Sequence, residues 1–270
     1  MQKLEVGVSS PPIVVKIGGS TLGSHDTSLK DLVTLQKRGV DVVVVHGGGS
    51  VISQWMQRQG IPPRFVNGLR ITDAASLDIV VAVLTGLINK ELVCLLHQLG
   101  GKAIGISGID GGLLEAYIAN PELGFVGEIT RVNVEPIKAI LGCGFIPMMA
   151  PLAMHRHDGS EHSGNPLNIN GDTVAGAVAC ALGAERLIFL TDVPGVMDGS
   201  GRVVPRLDQR RAKIMLQSGV VSGGMIPKLD ACLHALEKAS VAEIIDGRQP
   251  RALIDCIEGR ATGTRIVSHF

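Results

Sequence analysis

Aromatic residues are scarce in this 270-residue chain, with one Trp, one Tyr and five Phe, 3% of the sequence. A surface that stacks bases needs aromatic faces, so this scarcity argues against a platform for single-stranded nucleic acid. Net charge is lacking too. Lys and Arg total 25, as do Asp and Glu, so no basic surplus points to nucleic acid or to an acidic membrane face. The expected partner is a small molecule. Five cysteines, Cys94, Cys143, Cys180, Cys232 and Cys256, are odd in number, far apart and never in a C-x-x-C pair. That pattern argues against a disulfide framework or a zinc knuckle and reads as buried thiols in a reducing cytosol. No basic segment followed by an apolar one opens the chain, so no secretory signal is read. The uncharged run 139–154 is broken by Gly142, Gly144, Pro147 and Pro151 and is too short for a typical membrane span. A soluble cytoplasmic protein with no membrane partner is expected.

What the chain has in abundance is glycine, 35 residues, and this suits an α/β enzyme with many tight turns better than a β-sandwich. The glycines matter most where they end apolar runs. Val14-Val15-Lys16-Ile17-Gly18-Gly19-Ser20 is a strand that delivers one lysine and then breaks into paired glycines. The pattern recurs at Val42 to Val45, followed by His46-Gly47-Gly48-Gly49-Ser50. Backbone N–H groups at such a turn, with no side chain in the way, make an anion site. Either motif alone is equally a tight strand-to-helix turn. Two of them beside a lysine point to phosphoryl transfer. No G-x-x-x-x-G-K-[ST] run is present, so the glycine turns and lysines must do what a P-loop does elsewhere.

Hydrophobic periodicity organises the rest. Strands are expected at 13–17 and 42–45 with a helix over 28–37 between them, a βαβ unit that favours a parallel sheet. A helix over 50–59 precedes an irregular or hairpin segment carrying Asn67-Gly68-Leu69-Arg70, and Thr72 or Asp73 then caps a long apolar helix reaching Leu99, with a break near Gly86. Strands follow at 102–106, 113–118, 126–131 and 145–149, a helix at 134–141, and a hairpin over 152–162 turning at Asp158-Gly159-Ser160. The second half begins near Pro166. A small-residue helix over 173–182 leads to a strand at 187–190, then come a short hairpin near Asp198-Gly199, helices near 208–217 and 228–238, and strands at 241–245 and 264–267. The length allows one large domain or two lobes sharing a sheet. Asp172, at the start of the small-residue helix, reads as a helix cap or first-turn residue. His155, His157, Asp158 and His162 surround a polar turn without a tetrahedral zinc spacing, and no metal site is expected there.

Six motifs in order carry a resemblance over nearly the whole chain: Lys16-Ile17-Gly18-Gly19, His46 to Gly49, Asn67 to Asp73, Leu167-Asn168-Ile169-Asn170-Gly171-Asp172, Thr191-Asp192-Val193-Pro194-Gly195-Val196 and Gly223 to Lys228. The sequence resembles the amino acid kinase family, and within it the members that phosphorylate N-acetyl-L-glutamate. The one departure noted is Gly171, where an alanine is more usual in the family. The resemblance implies an α/β fold with an open, mostly parallel sheet sandwiched between helices, residues 1–165 forming an acid-binding lobe with the dimer contact and 166–270 an ATP lobe. It also implies transfer of the γ-phosphoryl group of ATP to a side-chain carboxylate, as an early step of arginine synthesis. By the same resemblance Lys16 and Lys228 contact that group from opposite sides, Gly19 and Gly49 donate N–H groups to it, and Asp172 holds both ammonium groups. Gly48 and Gly49 line the acid pocket, Arg70 pairs with the substrate α-carboxylate, and Asn168 binds its polar groups. Thr191, Asp192, Gly195, Val196, Gly224 and Met225 join the two lysines at the nucleotide, and Mg²⁺ arrives mainly on the nucleotide phosphates. Rivals are a kinase for a carrier-linked aminoadipate or glutamate and a non-catalytic amino-acid sensor on the same fold. A homodimer is implied. Family members inhibited by arginine carry an added N-terminal helix, and the helix-poor residues Gly7, Ser9, Ser10, Pro11 and Pro12 predict a dimer insensitive to arginine.

Overall fold

The computed structural model describes residues 10–18, 27–66, 68–156, 163–260 and 263–268. Gly19, Asn67, His157, Asp158, His162, the turn at 158–160 and the N-terminal lead-in up to residue 9 therefore lie outside the described residues. In chain order the elements are β1 (Ile13–Ile17), α1 (Ser28–Lys37), β2 (Val42–His46), α2 (Gly49–Arg58), β3 (Phe65–Val66), β4 (Leu69–Arg70), α3 (Ala74–Val81), α4 (Asn89–Gln98), β5 (Ala103–Ser107), β6 (Leu114–Tyr117) and β7 (Glu128–Val132). There follow α5 (Glu135–Gly142), β8 (Ile146–Ala150), β9 (Leu152–His155), β10 (Pro166–Asn168), α6 (Gly171–Leu182), β11 (Arg186–Thr191), β12 (Arg206–Asp208), α7 (Gln209–Gln217), α8 (Met225–Ala235), β13 (Val241–Asp246), α9 (Ala252–Ile257) and β14 (Gly263–Val267).

Eight strands form one sheet in the order β12-β14-β13-β11-β1-β2-β8-β5. From β13 to β5 every pairing is parallel, and β14 reverses direction against β13. The central strands are buried along their length because both faces are covered, so alternate residues serve two cores. Val14, Val43, Val45, Leu187 and Phe189 pack on the face that carries α6 and α8. Ile13, Val15, Ile17, Val44, Ile188 and Leu190 pack on the other, with side chains of α1, α2, α4 and α9. Each fully buried Val, Leu, Ile or Phe contributes about 1.5–3 kcal/mol, enough in aggregate to offset a few buried charges on one face. Lys16 lies in register with Val45 and Phe189, at the C-terminal end of the central strand.

Some expectations change. The long helix does not break at Gly86 but passes through a π-helical stretch, Ala82–Ile88, into α4. The run Ala74–Gln98 is long and apolar enough by length and composition to cross a membrane, yet its Val80, Val83, Leu84, Ile88, Leu92 and Leu96 belong to the sheet core. The strand returning from β9 is β10, at 166–168, so the 165/166 boundary falls inside a hairpin of the small sheet β10-β9-β6-β7. Periodicity missed β12, three residues long, and α9, six residues entered from Arg251 at φ 61°.

Candidate active site

The C-terminal ends of β1 and β2 meet the N-termini of three helices. Even-numbered residues of β1 face α6, which aims Lys16 at Asp172. Asn170, and not Asp172, caps α6: its side-chain oxygen accepts from the N–H groups of Asp172 at 2.8 Å and Thr173 at 3.2 Å. The Asp172 carboxylate is thereby left to the lysines, in a first turn that favours negative charge. Lys228, on the first turn of α8, donates to Asp172 Oδ2 at 3.0 Å and to the Gly224 carbonyl at 3.1 Å. Close packing of α6 on α8 makes this possible: a Cβ on Gly176 would stand 2.7 Å from the Ala231 carbonyl oxygen. Gly171 has room for a methyl group, since its Cβ would lie 3.5 Å from Lys16 Cε, an ordinary contact, so the departure from the family's alanine leaves the site undisturbed.

Lys16 Nζ is 2.7 Å from Asp172 Oδ1, an ion pair without hydrogen-bond alignment. Oδ1 is the buried side-chain oxygen left without a hydrogen bond among the described residues. Burial is the largest influence on this carboxyl and raises its pKa, but Lys16 and Lys228 together outweigh it and hold the group below its ordinary value. Two ammonium groups on one carboxylate leave the cluster one net positive charge. Such a cluster is suited to an anion.

A cavity of about 220 Å³ is walled by Lys16, Gly48, Gly49, Arg70, Asn168 and Asp172 among others, so six of the expected residues converge. Gly48 precedes α2 and Gly49 opens it, where a helix cannot satisfy its own first-turn N–H groups. Arg70 is 7% exposed; its Nη2 donates to the Gly49 carbonyl at 2.7 Å and to Ser53 Oγ at 2.8 Å, and its guanidinium lies 4.7 Å over the Phe65 ring. It thus ties the α2 turn to its own β3–β4 hairpin. Asn168 donates to Thr72 Oγ1 at 3.1 Å. A second cavity, about 800 Å³, shares Gly68, Leu69, Asn170 and Asp172 with the first and extends to Gly224 and Pro227.

Thr191, Asp192, Gly195, Val196 and Met225 line neither cavity. Thr191 Oγ1 accepts from the Val193 N–H at 3.1 Å, the Val196 N–H donates to Thr264 Oγ1 at 2.8 Å, and Gly195 adopts φ 150° where a Cβ would stand 2.8 Å from that oxygen. Thr191, Asp192, Gly195 and Val196 build the turn after β11, whereas Met225 opens α8. Sequence reasoning also missed a buried pair, His46 and Asn89, whose amide nitrogen lies 3.1 Å from the imidazole Nε2. The one signal was a polar residue closing an apolar strand just before the glycines. Among the described residues, one group of metal-ligand type comes together, Cys180, His234 and Glu237, with donor atoms within 4.8 Å of one another. It joins α6 to α8 and lies apart from the lysines.

A family model described as the amino acid kinase family matches residues 11–246. An acetylglutamate kinase of Dehalococcoides mccartyi is 46% identical over 259 residues, covering 96% of this chain and 95% of that protein. One of Rhodopseudomonas palustris is 43% identical over 272 residues, covering 94% and 89%. Among solved structures, smu.665 from Streptococcus mutans superposes with a TM-score of 0.81 at 30% identity over 95% of this chain and 98% of that one. Carbamate kinase from Giardia lamblia bound to AMP-PNP, at 14% identity and a TM-score of 0.68 over 96% and 99%, shares the fold. Match length, identity and the converging lysine and glycine motifs agree: the chain belongs to the amino acid kinase family.

Proposed function

We propose that this chain transfers the γ-phosphoryl group of ATP to the side-chain carboxylate of N-acetyl-L-glutamate, in arginine biosynthesis. The observation that carries the reading is that Lys16 and Asp172 meet a glycine turn and a buried arginine in one small cavity, with Lys228 paired to the same Asp172. A carboxylate oxygen attacks the γ-phosphorus, the bond to ADP breaks, and the products are ADP and N-acetylglutamyl phosphate. Transfer between two anions needs positioning and charge screening more than covalent help. Lys16 and Lys228 supply the screening from two sides, the Gly49 N–H donates to the equatorial oxygens, a role the family resemblance gives to Gly19 also, and Asp172 holds both ammonium groups. Arg70 takes the α-carboxylate, with Gly48 and Asn168 beside it. The smaller cavity suits the acid and the larger one the nucleotide, with Gly224 at its wall. In this reading residues 1–165 serve the acid and 166–270 the nucleotide, and ATP rests on Thr191, Asp192, Gly195 and Val196 of the turn after β11 and on Met225 at the start of α8.

Asp172 is already engaged by two cations, so its donor set does not suit a metal, and phosphate oxygens and water would hold Mg²⁺. Mg²⁺ would screen the nucleotide phosphates. A homodimer is supported by exposed Leu87, Leu95, Leu99 and Ile104 along α4 and the sheet edge. The absence of charge surplus fits a cytoplasmic enzyme of small molecules. A coupled ADP-release assay across N-acetylglutamate, glutamate, carbamate and a carrier-linked glutamate tests the proposal. Turnover greatest with N-acetylglutamate supports it; turnover with another acid alone, or with none, replaces it by the carrier-linked or the sensor reading.

A further inference from the structure

The face of the sheet opposite the lysines holds a second polar group whose geometry leads back to the glycine turn. His46 ends β2, is fully buried and directly precedes Gly47-Gly48-Gly49. Its Nδ1 lies 2.9 Å from the Gly47 carbonyl oxygen, which only accepts, so Nδ1 carries the proton. The other ring nitrogen meets Asn89 Nδ2 at 3.1 Å. The orientation of that amide is fixed by groups other than the histidine: Nδ2 also faces the carbonyls of Met148 at 2.8 Å and Ile106 at 3.3 Å, while Oδ1 accepts from Lys90 Nζ at 3.1 Å. Asn89 therefore donates to Nε2, which must be the unprotonated nitrogen. Burial is the largest cause of an imidazole pKa lowered to about 4; the Gly47 carbonyl pulls upward next, and Lys16 and Lys90 add smaller downward effects, so the ring is neutral at pH 7.

The surrounding backbone has made room for this arrangement. Asn89 follows directly on the π-helical stretch Ala82–Ile88, whose wider turn changes the phase at which later residues meet the sheet. On one side a Cβ on Gly48 would stand 2.4 Å from Ile88 Cδ1 and 2.8 Å from Leu84 Cδ2. On the other a Cβ on Gly105 of β5 would lie 2.0 Å from Asn89 Oδ1 and 2.7 Å from Lys90 Nζ. A Cβ at either position would force these side chains to shift, so one helical segment packs its side chains closely on two glycines, one in the turn after β2 and one on β5. The π-helical stretch thus seats the glycine turn twice, through Leu84 and Ile88 packing on Gly48 and through Asn89 holding the imidazole that holds Gly47.

We propose that His46 and Asn89 are a positioning pair for phosphoryl transfer, Asn89 keeping the imidazole in its Nδ1–H form so that it anchors the Gly47 carbonyl and aims the following N–H groups into the cavity. Its kinetic consequence rests on the kinase reading above; its tautomer does not. In the full chain labelled with ¹⁵N-histidine, the resonance identified as His46 by its loss in His46→Asn is expected to have a protonated Nδ1 and a bare Nε2 at pH 7, and a protonated Nε2 overturns the proposal. In kinetics, His46→Leu and Asn89→Leu are each expected to lower kcat about 30-fold, the scale of a small misplacement of reacting groups. His46→Asn, whose side-chain amide can donate from the place of Nδ1, recovers most of that loss, and the double leucine variant falls no further than either single one. Folded His46→Leu with wild-type kcat, or His46→Asn as impaired as His46→Leu, overturns the role. Should Asn89→Leu not fold, the spectrum and the His46 variants decide. A wild type inactive on N-acetylglutamate indicts the functional reading and leaves the tautomer to judge the pair.

Discussion

The two faces of the central sheet both bury polar groups and treat charge in opposite ways. On the α6 and α8 face, Lys16 and Lys228 both form ion pairs with Asp172, beside a cavity lined by Lys16 and Asp172. On the α4 face, His46 and Asn89 are neutral, and every hydrogen bond of the pair ends on protein. Buried charge is costly unless paired, and the incomplete pairing of the first face makes sense only where an anion completes it. The second face needs no ligand because it acts on backbone alone. In the proposed mechanism one face stores the charge that chemistry uses, and the other fixes the frame that presents it.

The largest expected effect comes from unpairing the charged face. Asp172→Asn leaves two ammonium groups facing one another with no anion between them, and breaking a buried ion pair on one side costs about 3 kcal/mol or more. Urea midpoints in the absence of nucleotide should fall accordingly, and a saturating nucleotide should restore part of the loss by supplying negative charge. Equal stability of wild type and variant would mean that the two faces do not differ in the way described.

Removing a cation should act on turnover more than on stability. Lys16→Ala or Lys228→Ala leaves Asp172 with one partner, so folding is largely kept, while loss of one stabilising donor lowers kcat about a hundredfold. Steady-state kinetics on folded variants checks this. Near-wild-type kcat in either one removes that lysine from the reaction.

Arg70 sits where the charged face meets the acid pocket, and its effect should be smaller and of another kind. A guanidinium offers parallel donors that a lysine cannot copy. Arg70 already spends Nη2 on Gly49 and Ser53, so Arg70→Lys loses both a brace and a fork. The α-carboxylate takes no part in bond making, so its binding is shared by ground and transition states, and KM for N-acetylglutamate should rise about tenfold while KM for ATP changes little. A drop in kcat with unchanged KM would assign Arg70 to bracing alone.

How far these contrasts were legible beforehand differs between residues. The apolar runs of β1, β2, β11 and β13 and the helix over 28–37 were plain from period and turn chemistry, since local pattern and tertiary burial agree there. Lys16 and the glycines stood out because a charge and a break end an apolar strand. The partnership of Lys16 with Asp172 and Lys228 came by way of resemblance, because it depends on the β1–β11 crossover and on Gly176 admitting α8, contacts that no local window contains. Asn170 displaced Asp172 as the cap since both residue types cap helices and only geometry separates them. The π-helical stretch, Asn89 and Gly105 were invisible for the same reason: their fit is steric and spans three elements.

The smallest expected effect concerns a charge pair at the water's edge, which sharpens what burial adds on the lysine face. Asp246 closes β13 and accepts from Arg248 Nε and Nη2, both at 2.8 Å, and from the Arg248 N–H at 3.0 Å. These bonds, the guanidinium's first, hold its pKa at about 2, below the ordinary 3.8. A carboxyl lowered on folding lends stability that is complete above its unfolded pKa and is lost as pH falls through the folded one. Arg248 is 56% exposed, so solvent screening reduces the full linkage value to about 1 kcal/mol. Asp246→Asn should therefore lower stability by about that amount at pH 7, and the gap to wild type should narrow steadily between pH 5 and pH 2. Urea unfolding of both proteins across that range measures it. A gap that stays constant with pH would trace the loss to shape and hydrogen bonding, and would leave Asp172 as the carboxylate whose charge the fold depends on.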